Sequence, residues 1–158
     1  MKGYNIMIKI LFICHGNICR SPMAEYIMKD MAAKAGQEER FHIESAATSR
    51  EEIGNDVHRG TRRKLTEVGI ACPPRHARQV TKADYEEYDY LIVMDRENLR
   101  GLSRIIGSDP ENKVHKLLDF AGKDRDIADP WYTGNFDDTY EDITEGLKAF
   151  MEELSNKF

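Results

Sequence analysis

The chain has 158 residues, 41% hydrophobic and 32% charged, a balance expected of one folded domain over residues 1–158 and not of a disordered or fibrous chain. A net charge of −5 argues against general nucleic-acid binding, and no apolar run approaches the roughly 20 residues that a membrane-spanning helix needs. The three cysteines, Cys14, Cys19 and Cys72, make no disulfide framework and no zinc pattern, since C-x2-C is absent and His42, His58, His76 and His115 are scattered. Residues 1–6 carry one lysine and no apolar core, so a signal peptide is not expected, and these features together predict a cytoplasmic protein.

Residues 7–13 read as a fully buried strand with a single lysine. A helix is predicted from Ser21-Pro22, hydroxyl near the cap and proline in the first turn, with Met23, Ala24, Ile27, Met28 and Met31 carrying it to Gly36. Residues 41–46 predict a second strand, 49–55 a polar loop, and 58–68 a basic helix ended by Gly69. A short acidic helix over 83–88 leads into a β-branched strand over 90–94, a helix over 96–106 stopped by Gly107, and a fourth strand over 113–118. Residues 120–136 read as a long loop of the kind that often carries function. Residues 137–154 close the chain as an amphipathic helix, with Tyr140, Ile143, Leu147, Phe150, Met151 and Leu154 on one side. Strands alternating with helices predict an α/β three-layer sandwich whose parallel sheet is covered on both faces. Ligands of such sheets bind beyond the carboxyl ends of the strands. There residues 14–20, the loop over 45–55, Asp95 and the 120–136 loop are expected to meet.

Between the first strand and the first helix stand Cys14, His15, Gly16, Asn17, Ile18, Cys19, Arg20 and Ser21. A tight loop that runs into a helix can cradle a phosphate with its main-chain N–H groups, and its positive field favours the thiolate of a cysteine at its start. Arginine at the loop's end grips two phosphate oxygens with its planar fork. Cys14 alone reads as a small buried residue at a strand end; with Arg20 in register it reads as a nucleophile toward phosphorus. Gly16 and Asn17 tolerate the unusual φ that inward-pointing N–H groups require, and Ser21 can donate to the thiolate or simply cap the helix. Hydrolysis needs a proton donor, and Asp129, before Pro130, is the candidate acid; alone it would read as an ordinary Asp-Pro turn. Trp131 and Tyr132 suit the walls of a slot for a flat aromatic group.

With these residues in view, nearly the whole chain resembles the low-molecular-weight protein tyrosine phosphatases. The resemblance is carried by residues 13–22, by Met23-Ala24-Glu25, by Ser45-Ala46-Ala47-Thr48-Ser49, and by Ala77-Arg78-Gln79, Asp89-Tyr90, Met94-Asp95 and Asp129-Pro130-Trp131-Tyr132. It implies a four-stranded parallel sheet flanked by about five helices, with the phosphate-binding loop after strand 1. It further implies Cys14 as nucleophile, Arg20 as phosphate clamp and Asp129 as general acid. Asn17, Ser21 and Ser45 would shape the loop of His15, Gly16, Ile18 and Cys19 through hydrogen bonds, and His76 and Asp95 would support it. Phosphotyrosine proteins are the implied substrates, with a phosphate or sulfate ion in the loop, no metal or cofactor, no nucleic acid or membrane partner, and a monomer or weak dimer. In this family a second loop cysteine, here Cys19, can capture the oxidised nucleophile as a disulfide.

Three neighbouring readings are weaker. Arsenate reductases of this fold need further closely spaced cysteines, and only Cys72 lies outside the loop. Protein-arginine phosphatases carry threonine where Ile18 stands, and an apolar Ile18 favours an aromatic ring. A non-catalytic phosphate-binding module would not require nucleophile, clamp and acid together. One departure from the family is marked: Glu51, flanked by Arg50 and Glu52, falls where an aromatic wall residue often stands. A shallower slot is expected, with an acidic wall that repels acidic phosphopeptides and Trp131 and Tyr132 carrying more of the aromatic contact.

Overall fold

In a computed structural model of the chain, which describes residues 7–157, the strands form one parallel sheet; the reading of residues 1–6 lies outside the described residues. In chain order the elements are β1 (Ile8–Cys14), α1 (Arg20–Lys34), β2 (Phe41–Ala47), α2 (Arg59–Glu67), α3 (Asp84–Glu87), β3 (Tyr90–Val93), α4 (Arg96–Ile106), β4 (Val114–Lys116), α5 (Pro130–Thr133) and α6 (Phe136–Ser155). The strand order is β2-β1-β3-β4. β1 is therefore paired on both sides, Phe12 opposite Ser45 on one edge and Ile92 on the other. This is why its sequence is a continuous apolar run: alternate residues enter different cores, and both cores are shielded from solvent. Ile10, Phe12 and Cys14 face a core closed by α1, α2 and α6, with Met23, Ile27, Leu65, Ile143, Leu147 and Phe150. Leu11 and Ile13 face a second core, under α3 and α4, with Val80, Tyr85, Leu102 and Ile106. The α/β three-layer sandwich is thus observed, with six α-helices among the described residues, two of them single turns.

β1 feeds its chain toward β2 on one side and has β3 on the other, so its carboxyl end is a switch point, where a crevice opens in sheets of this kind. Residues 14–20 leave from that point. The local differences from the sequence reading have physical causes. α1 begins at Arg20, so Ser21 lies inside its first turn and Cys19 holds the cap position without a side-chain cap bond, while the Ser21 hydroxyl faces Cys14. β4 stops at Lys116, where the chain curls into a 3-10 turn over Leu117–Ala121. The 120–136 loop contains α5, with Asp129 as its cap and proline at its first position, and gives way to α6 at Phe136, capped by Asn135. Gly107 ends α4 at φ +80°, a backbone region that residues with a Cβ rarely enter. No helix among the described residues is long and apolar enough to cross a membrane.

Candidate active site

Loop 14–20 curls around the Cys14 sulfur. Asn17 N–H and Ser21 N–H point at Sγ from 3.3 and 3.4 Å, and Ser21 Oγ lies 3.0 Å from it. Asn17 takes φ +60°, the left-handed conformation expected of it. Gly16 does not; it is not among the residues of positive φ, which corrects the expectation from sequence. Its requirement is space, because a Cβ there would come 3.2 Å from Glu52 Cγ.

A chain of oriented hydrogen bonds fixes this loop. Asn17 Oδ1 accepts from Arg75 Nη2 at 2.9 Å and from Arg78 N–H at 3.2 Å, which sets the amide's orientation. Its Nδ2 then donates to Ser21 Oγ at 2.8 Å and to Ser45 Oγ at 2.9 Å. The Ser21 hydroxyl hydrogen is left to point at Cys14, while Ser45 donates to the buried Glu25 carboxylate at 2.5 Å. Glu25 is closed off by Lys29, 2.6 Å away on the next turn of α1. The sulfur therefore sits among three hydrogen-bond donors. Ser21 and Ser45 are where the sequence reading wanted them. Glu25 and Arg75 were missed as site residues; a carboxylate on the otherwise apolar face of α1 was the available signal.

His76 does not join this network. It is exposed, and its Nδ1 pairs with Gly54 O at 2.8 Å. The segment runs extended against residues 54–55, through Gly54 N–H to Ala77 O and Ala77 N–H to Asn55 O. Arg75 and buried Ala77 thus face the loop while His76 faces away.

Arg20 is 2% exposed, large and charged. Its Nη1 donates to Asp95 Oδ2 at 2.6 Å and to Ile127 O at 2.7 Å, and Nη2 reaches Asp129 Oδ2 at 3.4 Å. Nε is buried and donates to no protein acceptor. Burial works against the guanidinium charge, but Cys14, Asp95 and Asp129 outweigh it and hold its pKa above the ordinary value. Asp95 also caps α4, accepting from Asn98 N–H at 2.7 Å, so it ties Arg20 to the start of that helix. Asp129 Oδ1 is committed to Trp131 N–H at 3.0 Å, which leaves Oδ2 toward the cleft.

The cleft is lined by Cys14, His15, Gly16, Ile18, Cys19, Glu51, Glu52, Asp129, Trp131 and Tyr132. Ile18 is almost fully buried in its floor, while Trp131 and Tyr132 stand out into solvent as walls. The opposite wall is acidic, and it holds a feature that the sequence did not announce: His15 Nε2 lies 3.0 Å from Glu51 Oε2 across the rim. Cys19 is buried against Ile18, Ala77 and Phe136. Burial, followed by the charges of Cys14 and Asp129, pushes its thiol up to about 12. Among the described residues no cluster of three or more His, Cys, Asp or Glu side chains is arranged to hold a metal ion.

A cysteine sulfur faced by three donors, an arginine with an unused buried N–H and a carboxylate that lines the same cleft as the cysteine are equipment for attack on a phosphate ester. Residues 9–158 match the family described as low molecular weight phosphotyrosine protein phosphatase. The chain is 40% identical over 154 residues to low molecular weight protein-tyrosine-phosphatase YfkJ of Bacillus subtilis, covering 96% of this chain and 98% of that one. It is 39% identical to the low molecular weight phosphotyrosine protein phosphatase of Gallus gallus, covering 90% and 93%. The crystal structure of Bacillus subtilis YfkJ superimposes with a TM-score of 0.93 over 98% of this chain and 99% of that one, at 39% identity.

Proposed function

Because the chain belongs to the low molecular weight phosphotyrosine protein phosphatase family, we propose that it hydrolyses phosphotyrosine in proteins through a phosphocysteine on Cys14, with Arg20 as clamp and Asp129 as general acid and then base. The observation that carries the proposal is Arg20 Nε: a buried N–H without a protein partner, on a side chain already anchored by Asp95 and Ile127. An uncompensated buried donor is costly, and a phosphate oxygen satisfies it.

In the first step the Cys14 thiolate attacks phosphorus, the S–P bond forms and the P–O bond to the tyrosine breaks. The leaving oxygen takes its proton from Asp129 Oδ2, the carboxyl oxygen not held by Trp131 N–H. Arg20 faces the equatorial oxygens, where charge is spread in the transition state. In the second step Asp129, now a carboxylate, removes a proton from water, which attacks phosphorus and returns Cys14 as thiolate with inorganic phosphate as product. Asn17, Ser21 and Ser45 keep the donors around the sulfur oriented through both steps. Ile18 below and Trp131 and Tyr132 beside the cleft offer apolar surface to a phenyl ring, which supports tyrosine over a guanidinium substrate. Cys19, in the same loop, supplies a thiol able to condense with a sulfenic acid on Cys14.

Phenyl phosphate hydrolysis by the wild type, Cys14→Ser and Asp129→Ala tests the proposal. Loss of the nucleophile abolishes turnover, and loss of the acid lowers it by about 10² to 10⁴. A fully active Cys14→Ser protein overturns the mechanism.

A further inference from the structure

His58 lies outside the groups that the reaction needs, yet it touches both halves of the site. Its main-chain N–H donates to Ile18 O at 2.8 Å, and Thr61 Oγ1, one turn on, donates to Cys19 O at 3.0 Å, so the start of α2 clasps the phosphate loop. The His58 ring stacks on Phe136, with centroids 5.3 Å apart and planes inclined by 20°, and meets Trp131 edge-on at 5.7 Å and 76°. Those two aromatics stand at either end of the turn that follows Asp129. Trp131 N–H is the donor that holds Asp129 Oδ1, and Phe136 opens α6. The Phe136 ring in turn presses on Gly60, where an added Cβ would fall 2.3 Å from its Cζ.

We propose that His58 is a positioning residue for the general acid: its ring, wedged between Trp131 and Phe136, fixes the Asp129 turn against the phosphate loop. This rests on the assignment of Asp129 as the acid. The ring's own orientation is set by its Nδ1, which accepts Gly60 N–H at 2.9 Å as the cap of α2. An accepting Nδ1 carries no proton, so the ring in this geometry is uncharged. Burial and the neighbouring Arg59 favour that state, against the charges of Asp129 and Glu52 across the cleft. Imidazole is thus both a cap acceptor and an aromatic wedge, and two substitutions separate these functions. His58→Asn keeps an acceptor for Gly60 N–H and removes the ring. His58→Phe keeps the ring and removes the acceptor.

The readout is kcat/KM for two aryl phosphates. Phenolate is a poor leaving group and depends on the acid, while p-nitrophenolate leaves with little help. His58→Asn is expected to lose about tenfold on phenyl phosphate, a part of the 10² to 10⁴ that a positioned acid supplies, and less than about twofold on p-nitrophenyl phosphate. His58→Phe is expected to recover the phenyl phosphate rate to within about threefold of wild type, even if it melts earlier through loss of the cap. The emission of Trp131, the only tryptophan, shifts in His58→Asn and not in His58→Phe. Equal losses on both substrates in His58→Asn overturn the inference, because they mean damage to the loop. A His58→Phe protein as impaired as His58→Asn also overturns it, because then the cap matters and not the ring. Asp129→Asn is the reference: if it shows no preference between the two substrates, the acid assignment itself fails, and with it the role given to His58.

Discussion

Asp95→Asn changes one oxygen for a nitrogen and tests how the clamp is held. Arg20 Nη1 lies 2.6 Å from Asp95 Oδ2, with side-chain exposures of 2% and 16%. Two unit charges with centres about 4 Å apart in an effective dielectric of about 20 attract by about 4 kcal/mol. Losing the carboxylate also removes its own desolvation cost, which leaves about 2 kcal/mol. The amide cannot replace both of Asp95's contacts, because its one oxygen serves either Arg20 or the Asn98 N–H that Asp95 Oδ1 now accepts, and a lost cap costs about 1 kcal/mol more. The variant is expected to be less stable by about 3 kcal/mol in urea unfolding, or by about 6–12 °C in Tm for a chain of this size. Saturating inorganic phosphate narrows the gap, since the bound oxyanion supplies the charge that asparagine lacks. A variant within about 0.5 kcal/mol of wild type without phosphate refutes the reasoning, and an unchanged gap in phosphate removes Arg20 as the anion's partner.

Gly60→Ala sets a methyl group against the Phe136 ring and is expected to cost about 1–3 kcal/mol by denaturant unfolding, with no effect at all arguing that the contact is slack. His58 is held below its ordinary pKa in the folded chain, foremost by burial, so the unfolded chain takes up the proton more readily and stability falls as pH drops below about 6.5. His58→Asn removes this contribution, so the stability difference between the two proteins shrinks or reverses from pH 7.5 to 5.5; a constant difference counts against the partly buried, neutral ring. With the Cys19 thiol pushed up to about 12, Cys14→Ser protein is expected to take up iodoacetamide at pH 7.5 at least about tenfold more slowly than wild type, followed by mass spectrometry of the loop peptide. Equal rates would place the reactive thiol outside Cys14.

The parts of this site that were legible in the sequence are those carried by neighbours along the chain. Cys14 to Ser21 form one uninterrupted loop at the end of an apolar strand, and Asp129 precedes a proline and two aromatics. β1 follows from a continuous apolar run and β4 falls inside the strand expected over 113–118, ending early at Lys116, while the single-turn α5 is below what such patterns resolve. Alone the Asp-Pro pair reads as a turn, and it is also a helix cap followed by proline at the first position. The supporting residues were harder, because their partners are far away in sequence: Arg75 meets Asn17 across 58 positions and Glu25 meets Ser45 across 20. The family resemblance implies His76 in the supporting network, yet in an extended segment a step of one residue reverses the side chain, and Arg75 takes the inward place. Gly16 was credited with an unusual φ when what it supplies is room for Glu52. The His15–Glu51 pair was hidden for the same reason as Arg75, since nothing local joins residues 36 positions apart.

The central claim, that Cys14 carries the phosphoryl group, is tested most directly by rapid acid quench of the Asp129→Ala protein turning over p-nitrophenyl phosphate, followed by peptide mass spectrometry. The account predicts one phosphoryl group on the peptide containing Cys14 during turnover, and none in the same experiment with Cys14→Ser. A phosphoryl group on any other residue, or steady turnover with no covalent intermediate in either protein, contradicts it.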